Sequence, residues 1–66
     1  MRELLAAAGW YKYTHCNCGG TLKEKYKHPT KPGQEVHIQP NRNQWYYFVN
    51  KNRNNLGVGA TIQQVL

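Results

Sequence analysis

Sixty-six residues make one small domain, and a chain of that size buries only about 60% of the surface it exposes when unfolded. Nine Lys and Arg stand against three Glu and no Asp, a formal charge of +6, which points toward a polyanionic or acidic partner. No apolar run approaches the ~18 residues needed to span a bilayer, so no membrane partner is expected.

The opening MRELLAAAGW imitates a signal peptide, but its apolar part is shorter than the roughly 7–15 residues of an export core. It reads instead as a helix over residues 2–8, with Leu4, Leu5 and Ala8 on one face and Glu3 in the first turn, where it suits the helix dipole. Gly9 occupies the place of a left-handed stop. With no export signal and only two Cys, the expected setting is a reducing cytoplasm.

Trp10 to Thr14 alternates aromatic with Lys and predicts a first strand. His15 to Gly20, HCNCGG, reads as a loop closed by two glycines. Thr21 to His28 alternates again, with Leu22, Glu24, Tyr26 and His28 on one face and Lys23, Lys25 and Lys27 on the other. A Pro- and Gly-bearing loop follows, and Glu35 to Gln39 then turns Val36 and Ile38 inward. After a turn at Pro40–Asn43, the stretch Gln44 to Asn50 is the strongest strand signal in the chain. It is apolar on both faces, because Trp45, Tyr47 and Val49 alternate with Tyr46 and Phe48. Lys51 to Asn55 reads as a polar loop, and Leu56, Val58, Ile62, Val65 and Leu66 predict a second short helix from about Ala60. The expected architecture is α+β: an antiparallel meander of three to four strands, flanked by a short N-terminal and a short C-terminal helix packed on one face. Residues 1–66 form a single domain in this reading.

Three amines in a row beside flat rings suit phosphates and unstacked bases, the pairing used for single-stranded nucleic acid. The candidate binding set is Lys23, Lys25 and Lys27 with Trp45 and Tyr47 (or Tyr46 in their place), extended by Arg42, Lys51 and Arg53 at the loop tips. The competing reading is a solvated lysine face that keeps a sheet soluble.

His15, Cys16 and Cys18 are the candidate metal ligands. They number three where zinc takes four, and Cys-x-Cys is tighter than the usual spacing, so two reduced thiols in a turn is the preferred reading and no cofactor is expected. A disulfide between residues two apart would be badly strained. Gly57-x-Gly59 ahead of a helix offers amides to a phosphate, although two glycines there more often only make the turn. His15, His28 and His37 are each candidates for proton transfer in an RNase.

Glu3-Leu4-Leu5…Gly9-Trp10, then Tyr26-Lys27-His28-Pro29-Thr30-Lys31-Pro32-Gly33 with Val36 and Ile38, then Thr61-Ile62-x-x-Val65-Leu66 together resemble the HicA (YcfA-like) family of small toxins. That resemblance covers about a third of the chain. It implies a fold related to double-stranded-RNA-binding domains, an mRNA-cleaving activity and an antitoxin-like protein partner. The family's catalytic His follows a Gly-Ser at the start of the second strand, whereas this chain reads Cys-Asn-Cys-Gly-Gly-Thr-Leu there. His15 is the nearest candidate for the catalytic role. The reading carried forward is a small basic module that binds RNA or single-stranded DNA without catalysis. Its alternatives are a HicA-like mRNA-cleaving toxin and a protein-interaction module stabilised by zinc, and a homodimer is a further partner reading for a strand with two aromatic faces.

Overall fold

A computed structural model describes residues 2–54 together with Gln63 and Val65. Helix α1 (Arg2–Ala7) leads into β1 (Tyr11–Cys18), β2 (Thr21–Lys27), β3 (Gln34–Gln39), a 3₁₀ turn (Pro40–Arg42), β4 (Gln44–Val49) and β5 (Asn52–Asn54). The strands form one sheet in the order β1-β2-β3-β4-β5, each antiparallel to the next.

Each reversal has a local cause. Gly19 and Gly20 both hold positive φ (62° and 78°), which lets a two-residue turn match the twist of its strands without a Cβ penalty. Pro40 opens the 3₁₀ turn, and Asn43 closes it in the left-handed region at φ 52°, a conformation that Asn tolerates better than most residues. Asn50 and Lys51 turn the chain from β4 into β5, again at positive φ (51° and 68°).

Paired residues in an antiparallel ladder share a face. Register sets Tyr26 beside Val36 and Glu24 beside Ile38, then Val36 beside Tyr47 and Ile38 beside Trp45. That face carries α1. Six helical residues cannot persist alone, and Leu5, fully buried, docks the helix on Trp10, Tyr26, Val36, Ile38 and Val65, with Ala8, Trp45 and Tyr47 packed around them. The opposite face has no element of the described residues over it.

His28 ties the helix to the sheet. Its Nε2 lies 2.8 Å from the Ala8 carbonyl, and its Nδ1 lies 3.2 Å from the Thr30 amide. A carbonyl only accepts and an amide N–H only donates, so the ring is neutral with its proton on Nε2. A Cβ at Gly9 would sit 2.8 Å from the same nitrogen, which is a second reason, besides φ 95°, for glycine at that position.

The described architecture corrects the expected one. Among the described residues the sheet has five strands where three to four were predicted, and a single short helix flanks it. His15–Cys18 continues β1 instead of looping, and Asn52–Asn54 forms an edge strand where the three-Asn stretch reads as loop. Leu4 is 40% exposed, not docked beside Leu5. The predicted second helix from Ala60 and the Gly57-x-Gly59 turn lie outside the described residues. Of the predicted helix Gln63 and Val65 are described; Gln63 is exposed and Val65 is buried in the core.

Candidate nucleic-acid interface

The uncovered face follows from the same register. Lys23, Lys25 and Lys27 of β2 lie opposite Cys16, Thr14 and Tyr11 of β1, and Lys25 and Lys27 lie opposite His37 and Glu35 of β3. Those two in turn face Tyr46 and Phe48 of β4, and Arg53 of β5 pairs with Phe48. The pairing of β1 with β2 shifts between Lys12 and Thr14; Tyr11 and Tyr13, two residues apart, share this face by ordinary alternation, and the bulge brings Thr14 and Cys16 onto it as well. Tyr11 and Tyr13 are the exposed large aromatic side chains of the described residues, at 50% and 40%.

The amines do not stand clear of the rings. Lys27 Nζ lies 4.5 Å above the Tyr13 ring, and the Arg53 guanidinium lies 5.1 Å from that of Tyr46. His37 lies against Phe48 at 4.1 Å with the planes tilted by 32°. Between them is a shallow hollow of about 270 Å³ bordered by Tyr13, Lys25, Glu35, His37, Phe48 and Lys51.

Glu35 is an anion on this basic face, and two donors occupy it. The Tyr13 hydroxyl donates to Glu35 Oε1, and His37 Nε2 donates to the same oxygen at 3.0 Å. Partial burial pulls the Glu35 carboxyl upward, but those two hydrogen bonds and the charges of His37 and Lys27 outweigh it and hold the group below the usual carboxylate range. The Tyr13 hydroxyl is pushed up to about 12 by burial first, then by its bond to Glu35 and that group's charge. Glu35 is therefore ionised at neutral pH but turned toward partners of its own. Glu24 lies on the helix side, and Glu3 lies in α1, so Glu35 is the one acidic side chain of the described residues on the lysine face.

The predicted set divides. Lys23, Lys25, Lys27 and Arg53 come together on one face. Trp45 and Tyr47 do not join them, because they pack against the core under α1; Tyr46 and Phe48 take the place beside the lysines. Arg42 in the 3₁₀ turn and Lys51 in the β4–β5 turn sit at opposite ends of the sheet. Tyr11, Tyr13, Glu35, His37 and Phe48 were absent from the predicted set. Outward alternation against Val36 and Ile38 could have found Glu35 and His37, and the same alternation groups Tyr11 with Tyr13, but nothing in the sequence sets those two rings beside Lys27 and Glu35, which is the work of register.

His15 pairs with Glu24 and so projects from the face opposite to Cys16, which pairs with Lys23. Cys16 and Cys18 are joined as a disulfide in place of the two thiols expected, with Cα atoms 5.4 Å apart, inside the roughly 4.4–6.8 Å span of such bridges. Among the described residues no three of His, Cys, Asp and Glu gather in a way that could hold a metal ion. No helix of the described residues is long and apolar enough to cross a membrane. No family model, curated protein or solved structure matches the chain.

Proposed function

We propose that the uncovered sheet face binds single-stranded nucleic acid, RNA or single-stranded DNA. The observation that supports this reading is the convergence of Lys23, Lys25, Lys27 and Arg53 with the rings of Tyr13, Tyr46 and Phe48 on one face that no described element covers. Phosphates attract amines without regard to sequence, and bases stack on any exposed ring. A strand lying across the sheet draws Lys27 and Arg53 from their rings onto phosphate oxygens and leaves those rings to the bases. With Glu35 already held by Tyr13 and His37, the face presents its positive charge with little internal opposition.

The test is a mobility-shift or anisotropy titration with a short unstructured oligonucleotide at about 50 mM salt, where counterion release favours binding most. Binding that weakens steeply with salt, and that disappears in the K23E/K25E/K27E variant, supports the reading. An unshifted probe with folded wild-type protein ends it.

A further inference from the structure

A second concavity lies at the end of the sheet, beyond the hollow on its face. It is a cleft of about 580 Å³ between the loop after β2, the β4–β5 turn and the start of β1, within the roughly 300–1,000 Å³ range of small-ligand sites. Lys27, Lys31 and Lys51 border it from three separate parts of the chain, with Glu35 the one acidic residue among its lining. The Lys31 ammonium donates to the Val65 carbonyl at 3.2 Å and lies 5.5 Å from the centre of the Trp10 ring, and two of the three donors that an ammonium carries are left for a ligand.

The walls are held in place independently of any ligand. The Asn50 amide donates to the Gly33 carbonyl at 2.7 Å, joining the two turns that form opposite sides, and Gln34 donates to the Lys31 carbonyl at 3.3 Å. Gly33 lies at φ 78°, and a Cβ there would come within 2.5 Å of Asn50 Oδ1, so a side chain at that position has to displace the Asn50 amide. His28 anchors the loop's beginning to Ala8. The half-exposed ring of Tyr11 borders the cleft.

We propose that this cleft takes the terminal phosphomonoester of a nucleotide: three amines on the phosphate and the Tyr11 ring against the adjoining base or sugar. The substrate class rests on the strand-binding reading of the sheet face, and Lys27 connects the two, since it stands in the lysine row and also borders the cleft. A terminal phosphate carries a second negative charge that an internal diester lacks, and convergent amines at the end of a surface discriminate for it in a way that a linear row does not. Either end of a strand can supply that group, so the 5′- and 3′-phosphate forms are separate arms of the test.

The experiment uses competition by one unlabelled oligonucleotide sequence in three forms, bearing a 5′-phosphate, a 3′-phosphate or hydroxyls at both ends. A parallel titration follows adenosine monophosphate by amide NMR shifts. One phosphorylated form is expected to compete about tenfold better than the hydroxyl form, the size of one additional charge-assisted contact. K51Q, in an exposed turn, should erase that preference, whereas K23Q on the open face should weaken all three forms alike. Equal competition by the three forms, with strand binding intact, overturns the cleft site and leaves the sheet-face reading standing. Shifts of the Tyr11 and Lys51 amides by the mononucleotide without any oligonucleotide binding support the cleft and remove the sheet-face reading. No response to either ligand overturns both.

Discussion

The Arg2 guanidinium makes two 2.9 Å hydrogen bonds to the Glu24 carboxylate, joining an exposed side chain on the helix to a buried one on the sheet. Glu24 is 4% exposed and lies on the face that α1 covers. The Tyr26 hydroxyl donates to its Oε1 at 3.1 Å, and Lys12 Nζ stands 3.8 Å from its Oε2. A buried carboxylate costs free energy unless its lone pairs are filled, and here residues from α1, β1 and β2 fill them. The charge thereby fixes where the helix sits.

This arrangement predicts an acid limit to stability. The Arg2 hydrogen bonds are the chief cause that holds the Glu24 carboxyl below its ordinary 4.5, against burial, with Tyr26 and the nearby charges adding to them. A depressed carboxylate contributes stability that is complete above the ordinary value and is lost as pH falls through the lowered one. Thermal melts from pH 7 down to pH 2 should show stability falling below about pH 4.5. R2A should have a lower Tm at pH 7 and a shallower loss in acid, because Glu24 then has less to lose. Parallel curves for the two proteins would show that the pair does not contribute in this way.

Glu35→Gln should tighten nucleic-acid binding. The change removes the acidic side chain from the lysine face and keeps its size. A charge at a partly screened surface is worth about 0.2–1 kcal/mol, which corresponds to a gain of up to about fivefold in affinity. Tyr13→Phe should act in the opposite direction, since it removes one of the two donors that occupy Glu35. Anisotropy titrations of the two variants at one salt concentration decide the point, and weaker binding by E35Q would contradict it.

Gly33→Ala should destabilise the protein by about 1–3 kcal/mol, the range for a residue forced into the left-handed region, with the Asn50 side-chain oxygen in the way of its methyl. Its φ is 78°, and the carbonyl of the same residue accepts from the Asn50 amide. Gly19→Ala has open space around the added methyl and pays only the conformational penalty. Denaturant unfolding of both variants should rank G33A below G19A. Equal values would mean that the contact with Asn50 is absorbed by side-chain movement.

The inward faces of β2 and β3 were legible, because one period dominates there. Val36 and Ile38 alternate with polar neighbours, and Lys23, Lys25 and Lys27 alternate with Glu24 and Tyr26, so each strand could have only one inward set. Where no period dominates, the sequence underdetermines the fold. His-Cys-Asn-Cys carries weak strand preference and reads as loop, yet the two glycines after it reverse the chain so tightly that it pairs with Thr21–Glu24. Asn-Arg-Asn becomes a strand because β4 offers it an unpaired edge, a tertiary effect that local propensity cannot report. His28 stands out in the distinctive His-Pro-Thr-Lys-Pro-Gly block as a candidate for proton transfer, but both of its nitrogens are committed to structure.

The two aromatic sets of β4 are where sequence had least to offer and where mutation discriminates most. Trp45 and Tyr47 differ from Tyr46 and Phe48 in neither size nor polarity by enough to choose an inward face. Register chooses it, because Ile38 and Val36 are buried and Trp45 and Tyr47 are their partners. Tyr47→Ala should therefore cost stability, about 2–4 kcal/mol for a large ring packed against a core but not fully enclosed by it. Its affinity for an oligonucleotide, measured on the folded fraction, should be close to that of the wild type. Phe48→Ala should show the reverse, with a modest change in Tm and a loss of about 1–3 kcal/mol in binding if a base stacks there. Melting and anisotropy on the same two preparations give four numbers, and the pattern matters more than any one of them. Should Tyr47→Ala lose binding while Phe48→Ala keeps it, the strand would meet its ligand with the face that the helix covers, and the sheet-face reading would fail with it.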